Sequence, residues 1–329
     1  MKHFFLGADL GATKTHIIIT DETGLCLAFT EGGPGNHEVI GFEALKVSLS
    51  DVVDQALKKA NLSAANITAA GFGVAGYDWP SQREPILQVI RSLGLGGAVE
   101  LVNDTDLGLL AGSPNGWGVT VVSGTGCNCR GWDQTHSRFG RVTGGGYDFG
   151  ELAGAVELLH MTVRALAYAW TGRGPQTALV DKFLEVYGLH DLGELLQELL
   201  TGKISLNPED ARLVFQVAET GDAVAIDLIR TAGRELGELA LCVIRQLAFE
   251  GLDFDLTLIG SMFDGSPMLE EELRKTVLPV APGARFLRVK HPPVIGAVLL
   301  AMQAADIMLE TGERKHIVEI LSQQVSSIP

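Results

Sequence analysis

The sequence predicts an α/β protein built from two similar domains, and three observations point to this class. Short apolar runs bounded by turn residues alternate with longer stretches of helical spacing. A strand that runs into a Gly- and Thr-rich turn occurs near the N-terminus and again about 115 residues later, which is typical of a duplicated unit. The 329 residues also exceed the usual length of one domain. We therefore expect domains over 1–112 and 113–329, with a C-terminal helix near 294–310 that could pack back on the first.

The first hundred residues have the pattern of three strands, a helix, a strand, a helix and a strand. FFLGAD is an apolar run that ends in an acid and HIIITD is β-branched, so both are typical of buried strands. Pro80 suits the first turn of the second helix. The expected strands are 4–9, 16–21, 25–30, 67–76 and 98–104, and the expected helices are 38–60 and 81–93.

The second domain repeats this opening and then becomes mostly helical. WGVTVVSGTG (117–126) is an apolar strand that runs into a turn, and NCRGWD (128–133) is its candidate hairpin partner. The repeat predicts a second hairpin-containing sheet, with a central cleft between the two. The expected helices are 151–170, 176–187, 191–200, 208–219, 222–249, 267–278 and 291–309, and the further strands are 254–261 and 284–289.

Composition narrows the classes of function. The chain carries 25 basic and 40 acidic residues, a net charge of −15, and such an acid excess repels nucleic-acid backbones and anionic lipid. Its 4 cysteines do not form a disulfide framework, and no apolar stretch is long enough to span a membrane. We expect a cytoplasmic protein that binds small molecules and neither nucleic acid nor membranes. A homodimer is an open possibility.

The two repeated turns are the first candidates for chemistry. DLGATKT (9–15) begins with an acid at a strand end, where its carboxylate can hold Mg²⁺ while turn N–H groups and Thr hydroxyls bind phosphate oxygens. A plain β-hairpin turn favours the same Gly and Thr residues, so both interpretations stand for this segment alone. SGTG (123–126) follows the matching strand of the second domain. Two such turns that face each other could clamp successive phosphates of one nucleotide.

Two acids lie at and just beyond the end of the strand at 98–104. Asp104 ends the strand, where its carboxylate could accept a proton from an attacking hydroxyl. The alternative for Asp104 is a helix N-cap, a role that Asn103 could share, and spacing alone favours the cap. Asp106 is expected to lie solvated in the first helical turn, where an acid suits the helix dipole.

Three Gly-rich segments need separate interpretations. GFGVAG (71–76) matches the dinucleotide-binding pattern, but YDWP follows where a helix should already have begun, which argues against that role. GGPGNH (32–37) precedes the first long helix, so Asn36 could cap that helix or bind a polar ligand, while a lone His37 is typical of the surface. GGGY (144–147) leads to Gly150 and Glu151 and could be a plain connector.

Taken together, these segments resemble the BadF/BadG/BcrA/BcrD-type ATPase family, in particular its N-acetylglucosamine kinase-like branch. That family belongs to the actin-like superfamily, whose two domains have a ribonuclease H-like fold. The resemblance covers nearly the whole chain in family order, and SGTGxN and PPxxGAxxxA are its most specific parts. The matching motifs are DLGATKT (9–15), GPGNH (33–37), VND (102–104), SGTGCN (123–128), LIGS (258–261) and PPVIGAVLLA (292–301).

The resemblance implies a kinase that uses ATP and Mg²⁺ to phosphorylate an amino sugar, N-acetylglucosamine at its 6-hydroxyl being the favoured substrate. It makes Asp104 the catalytic base and Asp9 the metal-binding residue. The ATP-binding residues that it implies are Gly11, Thr13, Lys14, Thr15, Ser123, Gly124, Thr125, Gly126, Gly260 and Ser261. The sugar-binding residues that it implies are Asn36, His37, Asp104, Asn128, Gly145, Gly146 and Glu151.

One motif departs from the family, and two other functions stay open. The family's GDEGS is replaced by Gly150-Glu151-Leu-Ala-Gly154, and the Trp of its GWG is absent, with Tyr147 nearby, so the sugar is not fixed. The first alternative is an ATPase activator of a 2-hydroxyacyl-CoA dehydratase, although the activators' cysteine motif is missing. The second is a non-enzymatic sugar sensor, which the eight residues before Asp9 and the acid excess both disfavour.

Overall fold

The first sheet is built from residues near the N-terminus. The computed structural model describes residues 2–327. Five strands form this sheet: β1 (Phe4–Leu10), β2 (Thr15–Asp21), β3 (Cys26–Gly32), β4 (Ala69–Val74) and β5 (Ala98–Asn103). Their spatial order is β3-β2-β1-β4-β5. The β1–β2 and β2–β3 pairs are antiparallel, whereas β1–β4 and β4–β5 are parallel.

The second sheet repeats this topology. Its strands are β6 (Gly118–Ser123), β7 (Cys127–Trp132), β8 (Phe139–Arg141), β9 (Phe254–Ile259) and β10 (Ala284–Arg288). Their order, β10-β9-β6-β7-β8, again places the first strand at the centre, an antiparallel hairpin on one side and two parallel strands on the other. The predicted α/β fold with a duplicated hairpin-containing sheet is therefore confirmed. The three residues of β8 are too few to give a sequence signal.

The helices of the N-terminal half pack around the first sheet. They are α1 (His37–Ala60), α2 (Arg83–Arg91) and α3 (Asp104–Gly112). Apolar residues at helical spacing in α1, among them Leu45, Leu49 and Val52, are buried against the sheet, as the pattern predicts. The 3₁₀ turn Pro80–Gln82 precedes α2, so the helix proper begins two residues later than expected.

The described residues after α3, up to residue 327, add nine helices. They are α4 (Ala155–Thr171), α5 (Leu179–Tyr187), α6 (Leu192–Leu200), α7 (Ala211–Glu219), α8 (Ala223–Leu247), α9 (Met262–Gly265), α10 (Pro267–Val277), α11 (Val294–Ala304) and α12 (Thr311–Ser326). Four differ most from the sequence-based expectation: α4 begins four residues late, α11 ends at Ala304, and α9 and α12 were not predicted. Within residues 2–327, no helix has the length and apolarity needed to cross a bilayer.

Helix α11 lies against the first sheet, although it comes nearly two hundred residues later in the chain. It packs so closely on β4 that a Cβ at Gly71 would lie 2.2 Å from the Ala297 carbonyl oxygen. A Cβ at Gly73 would lie 2.3 Å from Leu107 of α3. The glycines of GFGVAG therefore allow two helices to approach the strand, which explains the dinucleotide-like pattern without a ligand. The domain limits near 111–116 stay a prediction.

Candidate active site

The first turn joins β1 to β2 and carries an acid with unused hydrogen-bonding capacity. The Gly11 N–H donates to the Lys14 carbonyl at 2.9 Å and closes the hairpin. Asp9 is nine-tenths buried, and its carboxylate accepts no hydrogen bond from residues 2–327. Its nearest cationic partner is His16, whose Nδ1 lies 3.9 Å from Asp9 Oδ2, and this carboxylate raises the pKa of His16. A carboxylate with free lone pairs suits a hard cation such as Mg²⁺.

The other residues of this turn differ in what they can offer a ligand. Thr13 is exposed at the tip, whereas Thr15 is buried as the first residue of β2. Lys14 Nζ lies 2.9 Å from Glu31 Oε1 in an exposed pair, so its charge is partly compensated by β3. In addition, the Gly35 N–H donates to the Gly11 carbonyl at 2.9 Å. The GPGNH loop is therefore in direct contact with the first turn.

The second turn joins β6 to β7 and rests on the start of α4. The Gly124 N–H donates to the Gly126 carbonyl at 2.9 Å, while the first N–H groups of α4 donate to the carbonyls of Gly124 and Thr125 at 2.9 and 3.0 Å. A Cβ at Gly124 or Gly126 would meet no atom within 4 Å, so the turn presents an open backbone surface. This bare cradle fits nucleotide phosphates. Ser123 has a different role, because its buried hydroxyl donates to the Ala153 carbonyl at 2.5 Å.

A cavity of about 320 Å³ adjoins the second turn. Its size falls in the range of small-molecule sites. Gly124, Thr125 and Ser261 line it, so the structure brings these implied ATP-binding residues together. Gly260 has a φ of +108°, and a Cβ there would lie 2.1 Å from the Ser123 carbonyl oxygen. The further lining residues are Ala155, Pro208, Glu209, Ala211, Arg212, Phe215, Met262 and Gly265.

Asp104 is the first residue of α3, directly after β5. Asn103 is the N-cap, and its Oδ1 accepts the Thr105 N–H at 3.0 Å. The capping role therefore falls to Asn103, although Asp104 Oδ1 also lies 3.0 Å from the same N–H. Burial, and next the negative charge of Asp9, raise the pKa of Asp104 to about 7. A carboxylate with a pKa near neutrality is suited to act as a general base.

Asp106 is not solvated, so that expectation is wrong. Only 5% of the residue is exposed. Its Oδ2 accepts the Asn103 N–H at 3.2 Å and lies 3.2 Å from Arg130 Nε of β7. The reason is that α3 contacts β6 and β7 of the second sheet, and β7 carries Arg130. The spacing of residues in the sequence could not indicate this cation.

Asn36 and His37 end the GPGNH loop (33–37) at the start of α1. We call this segment the sugar loop, because the family resemblance implies that it binds the sugar. Asn36 Oδ1 accepts the Glu38 N–H at 2.8 Å, which confirms the capping interpretation and leaves its Nδ2 group without a partner in residues 2–327. His37 is 6% exposed, so its expected surface position is wrong. Its ring stacks on Phe42 with centroids 4.8 Å apart, and burial lowers its pKa.

Sequence reasoning missed Asp78, which lies in the loop after β4. Its Oδ1 lies 3.3 Å from Asn103 Nδ2 and 3.4 Å from Arg130 Nη1. A Cβ at Gly144 would lie 2.8 Å from the same oxygen, and the Asn128 amide stabilises the charged form. Burial has the larger effect and raises the pKa of Asp78. This acid joins elements that are distant in sequence, and the only signal was its place just after a buried strand.

Glu151 organises the Gly-rich loop that precedes α4. Its buried carboxylate accepts the N–H and hydroxyl of Thr143 at 2.8 and 2.6 Å, and the Gly146 N–H at 3.1 Å. The loop that contains Gly145 is thereby folded over Glu151. In this arrangement the carboxylate shapes the loop, and a direct contact with sugar stays a prediction.

Two sheets of one topology, each presenting a Gly- and Thr-containing turn, define an actin-like two-domain fold. The match to the model of the BadF/BadG/BcrA/BcrD ATPase family covers residues 6–301, so the chain belongs to this family. Membership in an ATPase family implies the use of ATP.

Named relatives and solved structures agree with this placement. The chain is 26% identical over 305 residues to an N-acetylmuramic acid/N-acetylglucosamine kinase of Clostridium acetobutylicum, covering 92% of this chain and 99% of that protein. It is 24% identical to an N-acetyl-D-glucosamine kinase of Dictyostelium discoideum, with the same coverage. The fold is similar to a ROK family glucokinase from Streptomyces griseus, with a TM-score of 0.55 and 20% identity over 91% of this chain and 99% of that one.

Proposed function

We propose that this protein is an ATP-dependent sugar kinase whose substrate is an amino sugar, N-acetylglucosamine phosphorylated at its 6-hydroxyl. The observation that carries the proposal is the position of Asp104. Its carboxylate has a pKa of about 7, follows a strand of the first sheet, and is close enough to Asp9 to sense its charge. A group that removes a proton from a sugar hydroxyl needs such a pKa and such rigid support.

In this proposal each side of the site has a separate task. The backbone of the second turn and the hydroxyls of Thr13 and Thr125 bind phosphate oxygens, while the cavity beside Ser261 takes the nucleoside. Asp9 holds Mg²⁺, which supplies positive charge to the phosphates when bound. Asn36 Nδ2 donates to a sugar hydroxyl, and Asp104 accepts the proton of the hydroxyl that attacks.

The dehydratase-activator alternative is less well supported by the cysteines. Cys127 and Cys129 are both buried in β7, and the Cys127 thiol donates to the Glu151 carbonyl at 3.3 Å. Burial raises the pKa of Cys127 to about 12. Iron–sulfur clusters bind thiolates, so a thiol held in its protonated form is a poor ligand.

The test is an assay of ADP release from MgATP with glucosamine, N-acetylglucosamine, N-acetylmuramic acid and glucose. We expect ADP release to require a sugar and kcat/KM to be highest with N-acetylglucosamine, and NMR of the product should place the phosphate on the 6-oxygen. Sugar-independent ATP hydrolysis would favour the activator. Sugar binding without ADP release would favour the sensor.

One observation favours N-acetylmuramic acid as a second candidate substrate. Arg141 lies over the Trp79 ring at 4.8 Å and forms no ion pair with residues 2–327. It lines a cavity of about 680 Å³ together with Asp78, Asn103 and Asp106, and the last two lie within two residues of Asp104 in the chain. An available guanidinium there suits the carboxylate that N-acetylmuramic acid carries. Arg141→Met should then raise KM for N-acetylmuramic acid and leave KM for N-acetylglucosamine unchanged.

A further inference from the structure

Three charged side chains, together with the main-chain N–H and the side-chain amide of Asn103, form a closed ring where the two sheets meet, and we call this ring the Arg130 cluster. Its members are Arg130, Asp106, Asn103 and Asp78. Arg130 Nε lies 3.2 Å from Asp106 Oδ2, which accepts the Asn103 N–H at 3.2 Å. Asn103 Nδ2 donates to Asp78 Oδ1 at 3.3 Å, and this oxygen lies 3.4 Å from Arg130 Nη1. Each member thus contacts two others.

The cluster is buried and contains more carboxylates than cations. The side chains of Arg130 and Asp78 are 13% exposed and that of Asp106 is 7% exposed. One cation faces two carboxylates, and both carboxylates add to the negative charge that Asp104 senses. Removing the cation would leave two buried acids without a counter-ion, which is far more costly than losing an exposed pair.

The cluster connects the proposed base to both sides of the cleft. Asn103 and Asp106 flank Asp104 in the chain and fix the turn from β5 into α3. Arg130 belongs to β7, the strand that leaves the second turn at Cys127. Asp78 is packed against Gly144 at the head of the loop that Glu151 organises. A shift of Arg130 would therefore change the position of Asp104 relative to the second turn.

We propose that Arg130 is a positioning residue for phosphoryl transfer. It clamps the Asn103–Asp106 turn to β7, so that the Asp104 carboxylate and the second turn keep a fixed separation when the nucleotide and sugar are both bound. This inference rests on the proposed kinase function. It assigns no contact between Arg130 and substrate.

The first test compares Arg130→Met with Arg138→Met. The control pair, Arg138 and Asp133, has the same 3.2 Å separation but lies within one hairpin, with Arg138 half exposed. We expect Arg130→Met to lower kcat for sugar phosphorylation by about 100-fold with KM for ATP within about threefold, because a misplaced base slows chemistry more than binding. Arg138→Met should keep the wild-type kcat.

Three more variants make the result decisive if Arg130→Met folds poorly: Arg130→Lys, Asp106→Asn and the double variant Arg130→Met/Asp106→Asn. Arg130→Lys keeps the charge but cannot reach both acids with separate nitrogens, so we expect a loss of about tenfold in kcat. The double variant Arg130→Met/Asp106→Asn should lose less activity than the two single losses multiplied, because it removes the cation and one buried acid together.

The outcomes separate this inference from the proposed function. If the wild-type protein phosphorylates no amino sugar, both the proposed kinase function and the positioning role of Arg130 are wrong. An active wild type whose Arg130→Met and Arg130→Lys variants keep kcat while their Tm falls overturns the positioning role alone and leaves the kinase. Strictly multiplicative losses in the double variant would also overturn it.

Discussion

The two hairpin turns have the same place in their sheets but different chemistry. The first turn carries Asp9, a carboxylate with no hydrogen-bond donor among residues 2–327, and it is tied to the sugar loop through Gly35. The second turn has no acid, rests on the N-terminus of α4 and exposes bare backbone at Gly124 and Gly126. One scaffold thus occurs twice, and in the proposed function its two turns divide the work between a cation and phosphate oxygens.

The strand ends show how this difference arose. The central strand of the first sheet ends near the acid Asp9, whereas the central strand of the second sheet ends at Ser123. The Ser123 hydroxyl donates a hydrogen bond to the Ala153 carbonyl. The Ser123 hydroxyl donates its only proton to this carbonyl and has none left for a ligand, so the second turn offers its backbone groups and the Thr125 hydroxyl. Substitutions at the two turns and at the groups beside them measure how unequal the turns are.

The largest effect is expected at Asp104, which lies within reach of the charge at the first turn. Asp104→Asn removes the base and keeps the shape, so kcat should fall by about 10²–10⁴-fold with the fold intact. In the wild type, the pKa of about 7 means that the base is protonated in acid. The rate of sugar phosphorylation should therefore decrease as the pH falls below about 7, and steady-state assays from pH 5 to 9 measure this.

The same group predicts an effect on stability with a defined sign. The pKa of Asp104 is higher in the folded protein than its ordinary value of about 3.9, so folding binds a proton between these values. The stability that this group contributes is present below about pH 4 and is lost as the pH rises through 7. Without nucleotide and Mg²⁺, Asp104→Asn should have a higher Tm than the wild type at pH 8. An equal or lower Tm there would contradict the raised pKa.

The second prediction compares the strand ends directly. Asp9→Asn should lower kcat at fixed Mg²⁺ by about 10²-fold, because it removes the carboxylate that suits the cation. Ser123→Ala should keep kcat within a few-fold and lower stability by about 1 kcal/mol, the usual value of one hydrogen bond. Titration of activity with Mg²⁺ and thermal unfolding measure both variants. Equal losses of activity would mean that the turns do not differ in kind.

The sheets could be predicted from the sequence because their signals are local. Apolar β-branched runs mark β1, β2 and β6, and the repeated turn indicates the duplication. The short β8 was missed because three residues carry no period. Helix α12 was missed because its buried face includes Arg314, whose guanidinium contacts the carbonyls of Ser113 and Leu110. A charged residue on the buried face hides the pattern.

The site was only partly predictable, because its electrostatics depend on contacts between distant segments. Asp104 was expected at a strand end and lies directly after β5, as the first residue of α3. Asp106 was expected in solvent because nothing nearby in sequence indicates Arg130, and Asp78 was missed because its partners lie about 25 to 66 residues away. Glu151 was expected at the start of a helix, but the loop it organises delays α4 to Ala155.

The third prediction tests the open backbone of the second turn. Gly126→Ala adds a methyl group that meets no protein atom, so its Tm should match the wild type while KM for ATP rises about tenfold through crowding of the phosphates. At Gly11, an added Cβ lies 3.0 Å from the Lys14 carbonyl oxygen, so Gly11→Ala should lower Tm. An unchanged KM for ATP in Gly126→Ala would place the phosphates elsewhere.

The smallest expected effect is at Asn36, where substitution can separate the role of the amide oxygen from that of the amide nitrogen. Its Oδ1 caps α1, and in the proposed function its Nδ2, which has no partner among residues 2–327, donates to the sugar. Asn36→Asp keeps the cap and loses the donor, so KM for the sugar should rise several-fold, about 1 kcal/mol, with Tm unchanged. Asn36→Ala loses both, so it should show the same KM and a lower Tm. Because the sugar loop touches the first turn through Gly35, KM for ATP is the necessary control. If KM for ATP rises as much as KM for the sugar in Asn36→Asp, this loop belongs to the nucleotide side, and the division between the two turns is wrong.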